Sequence, residues 1–95
     1  MTNYEMIYVV KPNLEEEVRV ALADKIKSII EVNGEITKVD EWGVRKLAYP
    51  IDKLNEGHYT LLNFKAATDI PKEIDRNLKI SENVIRHLIV NVDAE

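Results

Sequence analysis

The sequence predicts an α+β fold in which a four-stranded antiparallel sheet carries two helices on one face. Hydrophobic spacing alternates between the strand and helix periods, and the predicted segments follow the order β-α-β-β-α-β along 95 residues. Strands two and three are separated by a short polar segment, so we expect them to pair as a hairpin. Two interleaved β-α-β units with right-handed crossovers produce this arrangement, with strands one and three central and strand two at an edge.

The first strand and the first helix have clear signals. Residues 4–10 (YEMIYVV) are rich in β-branched and aromatic side chains and end before Pro12, which favours a strand. Asn13 is placed to cap a helix, and Glu16 follows at capping-box spacing. Apolar residues then follow one helical face: Leu14, Val18, Leu22, Ile26, Ile29 and Ile30. We expect a helix of roughly 20 residues that stops at Gly34.

The middle of the chain is predicted to form the hairpin. Residues 35–49 read as a long strand in which Gly43 marks a bulge. Residues 52–57 (DKLNEG) form a polar turn, and residues 58–67 form the third strand. In the predicted topology the second strand lies at the edge of the sheet.

A second helix and a last strand complete the plan. The helix begins at Thr68 or Asp69 with Pro71 in its first turn, where proline is tolerated. Its buried stripe is expected to consist of Ile70, Ile74 and Leu78. Residues 83–92 form the last strand. The complete plan is ferredoxin-like, and residues 1–95 are expected to make one domain.

The central strands are apolar on both faces, although helices cover only one. Met6, Tyr8 and Val10 point one way, as do Leu62 and Phe64 on their own strand. The opposite phase is also apolar and consists of Ile7, Val9, Tyr59 and Leu61. A contiguous patch of this kind usually marks a partner site, whereas single exposed apolar residues are normal. Periodicity does not decide which phase meets the helices; these four residues are the predicted partner patch.

Composition excludes several classes of protein. The chain has no cysteine, so disulfides and thiolate chemistry are absent, and a reducing cytoplasm is the expected location. No apolar run is long enough to cross a bilayer, and the N-terminus does not resemble a signal peptide. The formal net charge is −4. It divides unevenly, because residues 1–41 carry a net −4 and residues 42–91 a net +2.

The sequence carries no signal for catalysis, a metal, a cofactor or a small-molecule substrate. His58 and His87 are far apart in sequence without a nearby carboxylate cluster, and the glycines form no phosphate-binding loop. Acylphosphatases share the plan but use an arginine in a glycine-containing loop, where this chain has Lys11, Pro12 and Asn13. The base-stacking pattern of RNA-recognition motifs is met only in fragments. Contact with RNA phosphates remains open.

The segment WGVRKLAYPI (residues 42–51) places two cations on the predicted edge strand. Arg45 and Lys46 point in opposite directions, so they cannot both face the core. They either guard the edge against unwanted pairing or bind RNA phosphate or a partner protein. Trp42 is either an interface anchor or a cover over the core rim. Further candidates for the same contact are Arg86, Arg76, Lys79 and Lys53.

Several segments together resemble a known family along nearly the whole chain. They are Tyr4-Glu5, Pro12 before the long helix, Gly34, Trp42-Gly43, Arg45 to Ile51 (RKLAYPI), Gly57-His58-Tyr59 and Asn83-Val84-Ile85-Arg86. The chain resembles bacterial-type ribosomal protein number six of the small subunit. The resemblance implies a non-enzymatic, cytoplasmic and ribosome-associated protein. It also implies binding to small-subunit (16S) ribosomal RNA together with ribosomal protein number eighteen, during assembly and translation.

Two other functions are compatible with the same fold. One is a module that binds only proteins, and the other is a small-molecule regulatory domain that binds ligand at loops between paired subunits. Lack of RNA affinity in the presence of the partner would favour the first. The absence of a glycine-rich loop speaks against the second.

Overall fold

The computed structural model describes residues 1–51 and 54–93, with the side chains of residues 48–51 and 54 outside the description. Six elements follow one another, in the predicted order. They are β1 (Thr2–Val10), α1 (Glu16–Glu31), β2 (Gly34–Ile51), β3 (Leu54–Ala66), α2 (Ile70–Lys79) and β4 (Val84–Asn91). Neither helix of the described chain is both long and apolar enough to cross a membrane.

The four strands form one antiparallel sheet in the order β2-β3-β1-β4. Strand β1 pairs on one side with β3, where Met6 lies opposite Leu62, and on the other with β4, where Met6 lies opposite Ile89. Strands β1 and β3 are therefore central, while β2 and β4 form the edges. This arrangement confirms the predicted ferredoxin-like fold.

The core lies between the two helices and one face of the sheet. From the sheet, the buried residues are Tyr4, Met6, Tyr8, Val10, Leu62, Phe64 and Ala66. From the helices they are Ile26, Ile30, Ile70, Ile74 and Leu78, in agreement with the predicted helical stripes. Packing thus decides a point that periodicity left open: the helices cover the Met6 phase, and the Ile7 phase lies on the opposite face.

Both predicted ends of the first helix need correction. Helix α1 begins at Glu16 after an N-cap at Glu15, and no side chain caps it, so neither Asn13 nor Glu16 forms the expected capping box. The helix ends at Glu31, and Gly34 already belongs to β2 opposite Ala66. A Cβ at Gly34 would lie 2.4 Å from the Lys65 carbonyl oxygen. The glycine there allows two strands to approach closely and does not terminate the helix.

The hairpin is longer than predicted. Residues 54–57 belong to β3 and not to a turn, because Lys46 pairs with Glu56 and Ile51 with Leu54. The bulge at Gly43 is present: the β2–β3 register shifts between Glu41 and Gly43, and Gly43 has a φ of 77°. This left-handed conformation is accessible to glycine at little cost.

The second helix begins close to the predicted position. Its N-cap is Asp69, and Pro71 lies in the first turn, where the proline removes no helical hydrogen bond. The Asp69 side chain makes no capping hydrogen bond.

Candidate partner- and RNA-binding face

The sheet face without helices, here called the open face, contains the four residues of the predicted partner patch. Ile7 lies opposite Leu61, and Val9 lies opposite Tyr59, in neighbouring rows across the two central strands. Ile7, Tyr59 and Leu61 are half-buried. Val9 is only 3% exposed, and its Cγ1 lies 2.3 Å from where a Cβ on Gly57 would be. Val9 therefore packs within the patch and contributes little to the solvent-exposed surface of the patch.

Strand β4 extends the apolar surface with residues that the sequence reasoning missed. Leu88 lies opposite Ile7, and Val90 opposite Glu5; they are 58% and 47% exposed. Together with Arg86 they form a period-2 set along β4, and this alternation is the signal that would have identified them. A depression of about 190 Å³ lies where this strand meets the patch, lined by Ile7, Val9, Tyr59, Arg86, His87 and Leu88.

Trp42 lies at the β2 border of the open face. The bulge at Gly43 inserts Trp42 between paired residues, and its ring stacks with that of Tyr59 at a centroid distance of 6.2 Å. The indole Nε1 donates a hydrogen bond to Asp40 Oδ2 across 3.2 Å. The structure thus joins Trp42 to the patch through Tyr59 while leaving it 36% exposed.

Two of the predicted cations border the apolar area from opposite edges of the sheet. Arg45 on β2 is paired with Gly57, and Arg86 on β4 is paired with Val9. Both are exposed, and neither forms an ion pair within the described residues. Lys46 is paired with Glu56 and projects toward the other face, as strand alternation requires.

The remaining predicted cations do not join this group. Arg76 and Lys79 lie on α2, in the layer across the sheet from the open face. Each pairs with a carboxylate of the same helix, Arg76 with Glu73 and Lys79 with Asp75. Lys53 lies outside the described residues.

A small polar cluster lies on the helix side of the sheet, near the end of β1. Arg19 Nη1 lies 3.2 Å from Nε2 of His58, and because arginine only donates, that nitrogen is the acceptor. Burial raises the pKa of Tyr8 beside them. The cavity among these residues has a volume of about 10 Å³, enough for one water molecule and not for a substrate.

The described residues contain no group of three or more metal-binding side chains close enough to share an ion. His87 forms a hydrogen bond with Asp75, in which Nε2 lies 2.5 Å from Oδ1, and this bond connects β4 to α2. The pKa of Asp75 is lowered, first by this hydrogen bond and then by that of Lys79. The His87–Asp75 hydrogen bond therefore has a structural role, because it links helix α2 to the sheet.

The sequence of this chain is similar to proteins of one known family. Residues 3–91 match the family model described as ribosomal protein S6. The chain belongs to the ribosomal protein S6 family. It is 66% identical over 90 residues to small ribosomal subunit protein bS6 of Clostridioides difficile, which spans 95% of this chain and 98% of the relative. The same protein of Alkaliphilus oremlandii is 58% identical over 93 residues, 98% of this chain and 99% of the relative.

A solved member of the S6 family has the same fold. The crystal structure of 30S ribosomal protein S6 from Thermotoga maritima superposes with a TM-score of 0.87 at 35% identity. The superposition covers 95% of this chain and 86% of the other. As an S6 family member, the chain is a protein of the small ribosomal subunit, associated with ribosomes in the bacterial cytoplasm, and it is not an enzyme.

Proposed function

We propose that this small-subunit protein binds 16S ribosomal RNA jointly with ribosomal protein number eighteen, as a structural constituent during assembly and translation. The supporting observation is the composition of the open face. Its centre is apolar, and exposed arginines, Arg45 and Arg86, border it on two sides. An apolar centre with a polar rim is typical of a protein–protein interface. Arginine is the side chain best suited to contact phosphate.

The charge of the chain supports joint binding. At a formal net charge of −4, the isolated protein has no overall attraction for a polyanion. A few arginine contacts give modest affinity that falls steeply with salt. A basic partner on the apolar centre would extend the cationic surface across the rim and remove the exposed apolar side chains from water.

The apolar side chains of the open face support a partner protein on energetic grounds. Leu88 and Val90 are about half exposed, and each fully buried aliphatic side chain contributes roughly 1.5–3 kcal/mol relative to exposure. Burying several such residues at once supports a stable interface. Helical RNA would not replace this contribution, because its base faces are stacked inside and its outer surface is mostly phosphate and sugar.

A filter-binding titration tests the proposal. Labelled 16S RNA is titrated with the chain alone, with protein number eighteen alone, and with the equimolar pair, each at two salt concentrations. We expect weak binding by the chain alone and tight, salt-sensitive binding by the pair. Equal RNA affinity with and without the partner would contradict joint binding. Pair formation without any RNA affinity would indicate a module that binds only proteins.

A further inference from the structure

Trp42 and Asp40 form a small exposed site at the β2 border of the open face. The indole Nε1 donates to Asp40 Oδ2 at 3.2 Å, which holds the ring beside the carboxylate. The ring is nearly parallel to that of Tyr59, with an interplanar angle of 16°. With Tyr59 on one side and 36% of Trp42 exposed, the indole presents an accessible aromatic surface.

The site contains a carboxylate beside the ring, and two cations lie on the same strand. Asp40 uses Oδ2 for the indole, and Oδ1 has no hydrogen bond within the described part of the chain. Lys38 and Arg45 precede and follow it on β2, yet neither forms an ion pair with Asp40 among the described residues. An aromatic face is electron-rich, and beside a carboxylate that has no ion-pair partner among the described residues it favours a cation over a phosphate.

We propose that Trp42 and Asp40 bind an arginine side chain of the partner protein; this inference rests on the proposed function. The guanidinium stacks on the indole and donates to Asp40 Oδ1. Arginine fits better than lysine, because its planar group can stack and donate in one geometry. A partner that enables a chain of charge −4 to bind RNA must itself be basic, so such side chains are abundant on it.

An unpaired RNA base is the competing occupant of the same aromatic surface. Stacking is tolerant of base identity and would use the same ring. The backbone phosphates on either side of that base would, however, approach the Asp40 carboxylate. Replacing Asp40 with asparagine separates the two occupants, because this removes the charge but keeps an oxygen that accepts the indole hydrogen bond.

The experiment compares Asp40→Asn with Glu41→Gln. Glu41 is the next residue on β2, but it pairs with Thr60 on the helix side, so its substitution removes the same charge from the other face. Calorimetry measures the dissociation constant of each variant with protein number eighteen at low and high salt. We expect Asp40→Asn to weaken the pair by about fivefold to thirtyfold at low salt, and less at high salt. We expect Glu41→Gln to change it by less than about twofold.

Three outcomes overturn the inference. Equal pair affinity of the two variants, with wild-type pairing intact, overturns the arginine site alone. If Asp40→Asn leaves the affinity for protein number eighteen unchanged and binds RNA more strongly, the arginine site is overturned in favour of a stacked base. Failure of the wild-type chain to pair at all overturns the proposed function and this inference together. Emission of Trp42, the single tryptophan, verifies that the free Asp40→Asn variant keeps the ring in place.

Discussion

Leu61 and Leu62 are neighbours on β3 but lie on opposite faces of the sheet. Leu62 is 5% exposed beneath the helices, opposite Met6. Leu61 is half-buried on the open face, opposite Ile7. Leu62 therefore belongs to the core of this molecule, and Leu61 belongs to the surface proposed to bind a partner. Two chemically identical substitutions can separate these roles.

Leu62→Ala is expected to destabilise the chain by about 2–5 kcal/mol, because it leaves a cavity among Met6, Phe64 and the helices. Leu61→Ala is expected to reduce stability much less and to weaken pairing with protein number eighteen instead. Urea unfolding measures the first effect, and calorimetry with the partner measures the second. Loss of pairing by Leu62→Ala in the folded state, but not by Leu61→Ala, would contradict the assignment of the open face.

Asp75→Asn is expected to change the acid stability of the protein. The pKa of Asp75 is lowered from its ordinary 3.8, chiefly by the hydrogen bond from His87 and next by that from Lys79. The ionised carboxylate therefore stabilises the fold above its unfolded-state pKa, and this contribution is lost as pH falls through the lower folded-state pKa. The melting temperature of Asp75→Asn should be lower than wild type at neutral pH, with the difference closing in acid.

Asp24→Asn is the control for the acid profile, because Asp24 is exposed on α1 and forms no ion pair among the described residues. Its melting temperature should follow that of the wild type as pH falls. Coincident profiles for wild type and Asp75→Asn would show that the link between α2 and β4 adds no stability.

Gly34→Ala is expected to destabilise the protein by about 1–3 kcal/mol through steric overlap. The new methyl group would lie 2.4 Å from the Lys65 carbonyl oxygen and 2.7 Å from Ala66 Cβ. Both neighbours belong to the central strand β3, so neither can rotate away. Urea unfolding measures the loss, and the exposed neighbour Glu35→Ala should change stability by less than about 0.5 kcal/mol. Equal unfolding free energies for the two variants would refute the close approach.

Arg45→Gln and Arg86→Gln are each expected to weaken RNA binding by the protein pair. Loss of one phosphate contact should reduce the slope of log K against log salt by about 0.7–0.9. Arg76→Gln is the matched control, because Arg76 lies on α2 and is paired with Glu73. Filter binding at several salt concentrations provides the slopes. If an arginine contacts the partner protein instead of RNA, its substitution lowers the affinity of the protein pair and leaves the salt slope of RNA binding unchanged. If neither quantity changes, the two arginines only protect the sheet edges from unwanted pairing.

Local patterns predicted most of the architecture. The helical stripe of Ile70, Ile74 and Leu78 and the bulge at Gly43 were both predicted, because spacing and glycine conformation depend on nearby residues. The errors occurred at element ends. Asn13 satisfies the spacing for a cap, yet the helix begins at Glu16, and Gly34 looks like a helix stop but permits close strand contact. These outcomes depend on how distant segments pack.

The sequence alone determined the order of elements, the central position of β1 and β3, and the presence of two apolar phases on the strands. Only the tertiary structure decided which phase remained uncovered, because strand alternation is symmetric and helix packing breaks that symmetry. It also separated the cations: Arg45 and Arg86 border the open face, whereas Arg76 is paired on α2. The contact of Trp42 with both Asp40 and Tyr59 depends on the bulge and on pairing between strands, neither of which hydrophobic spacing specifies.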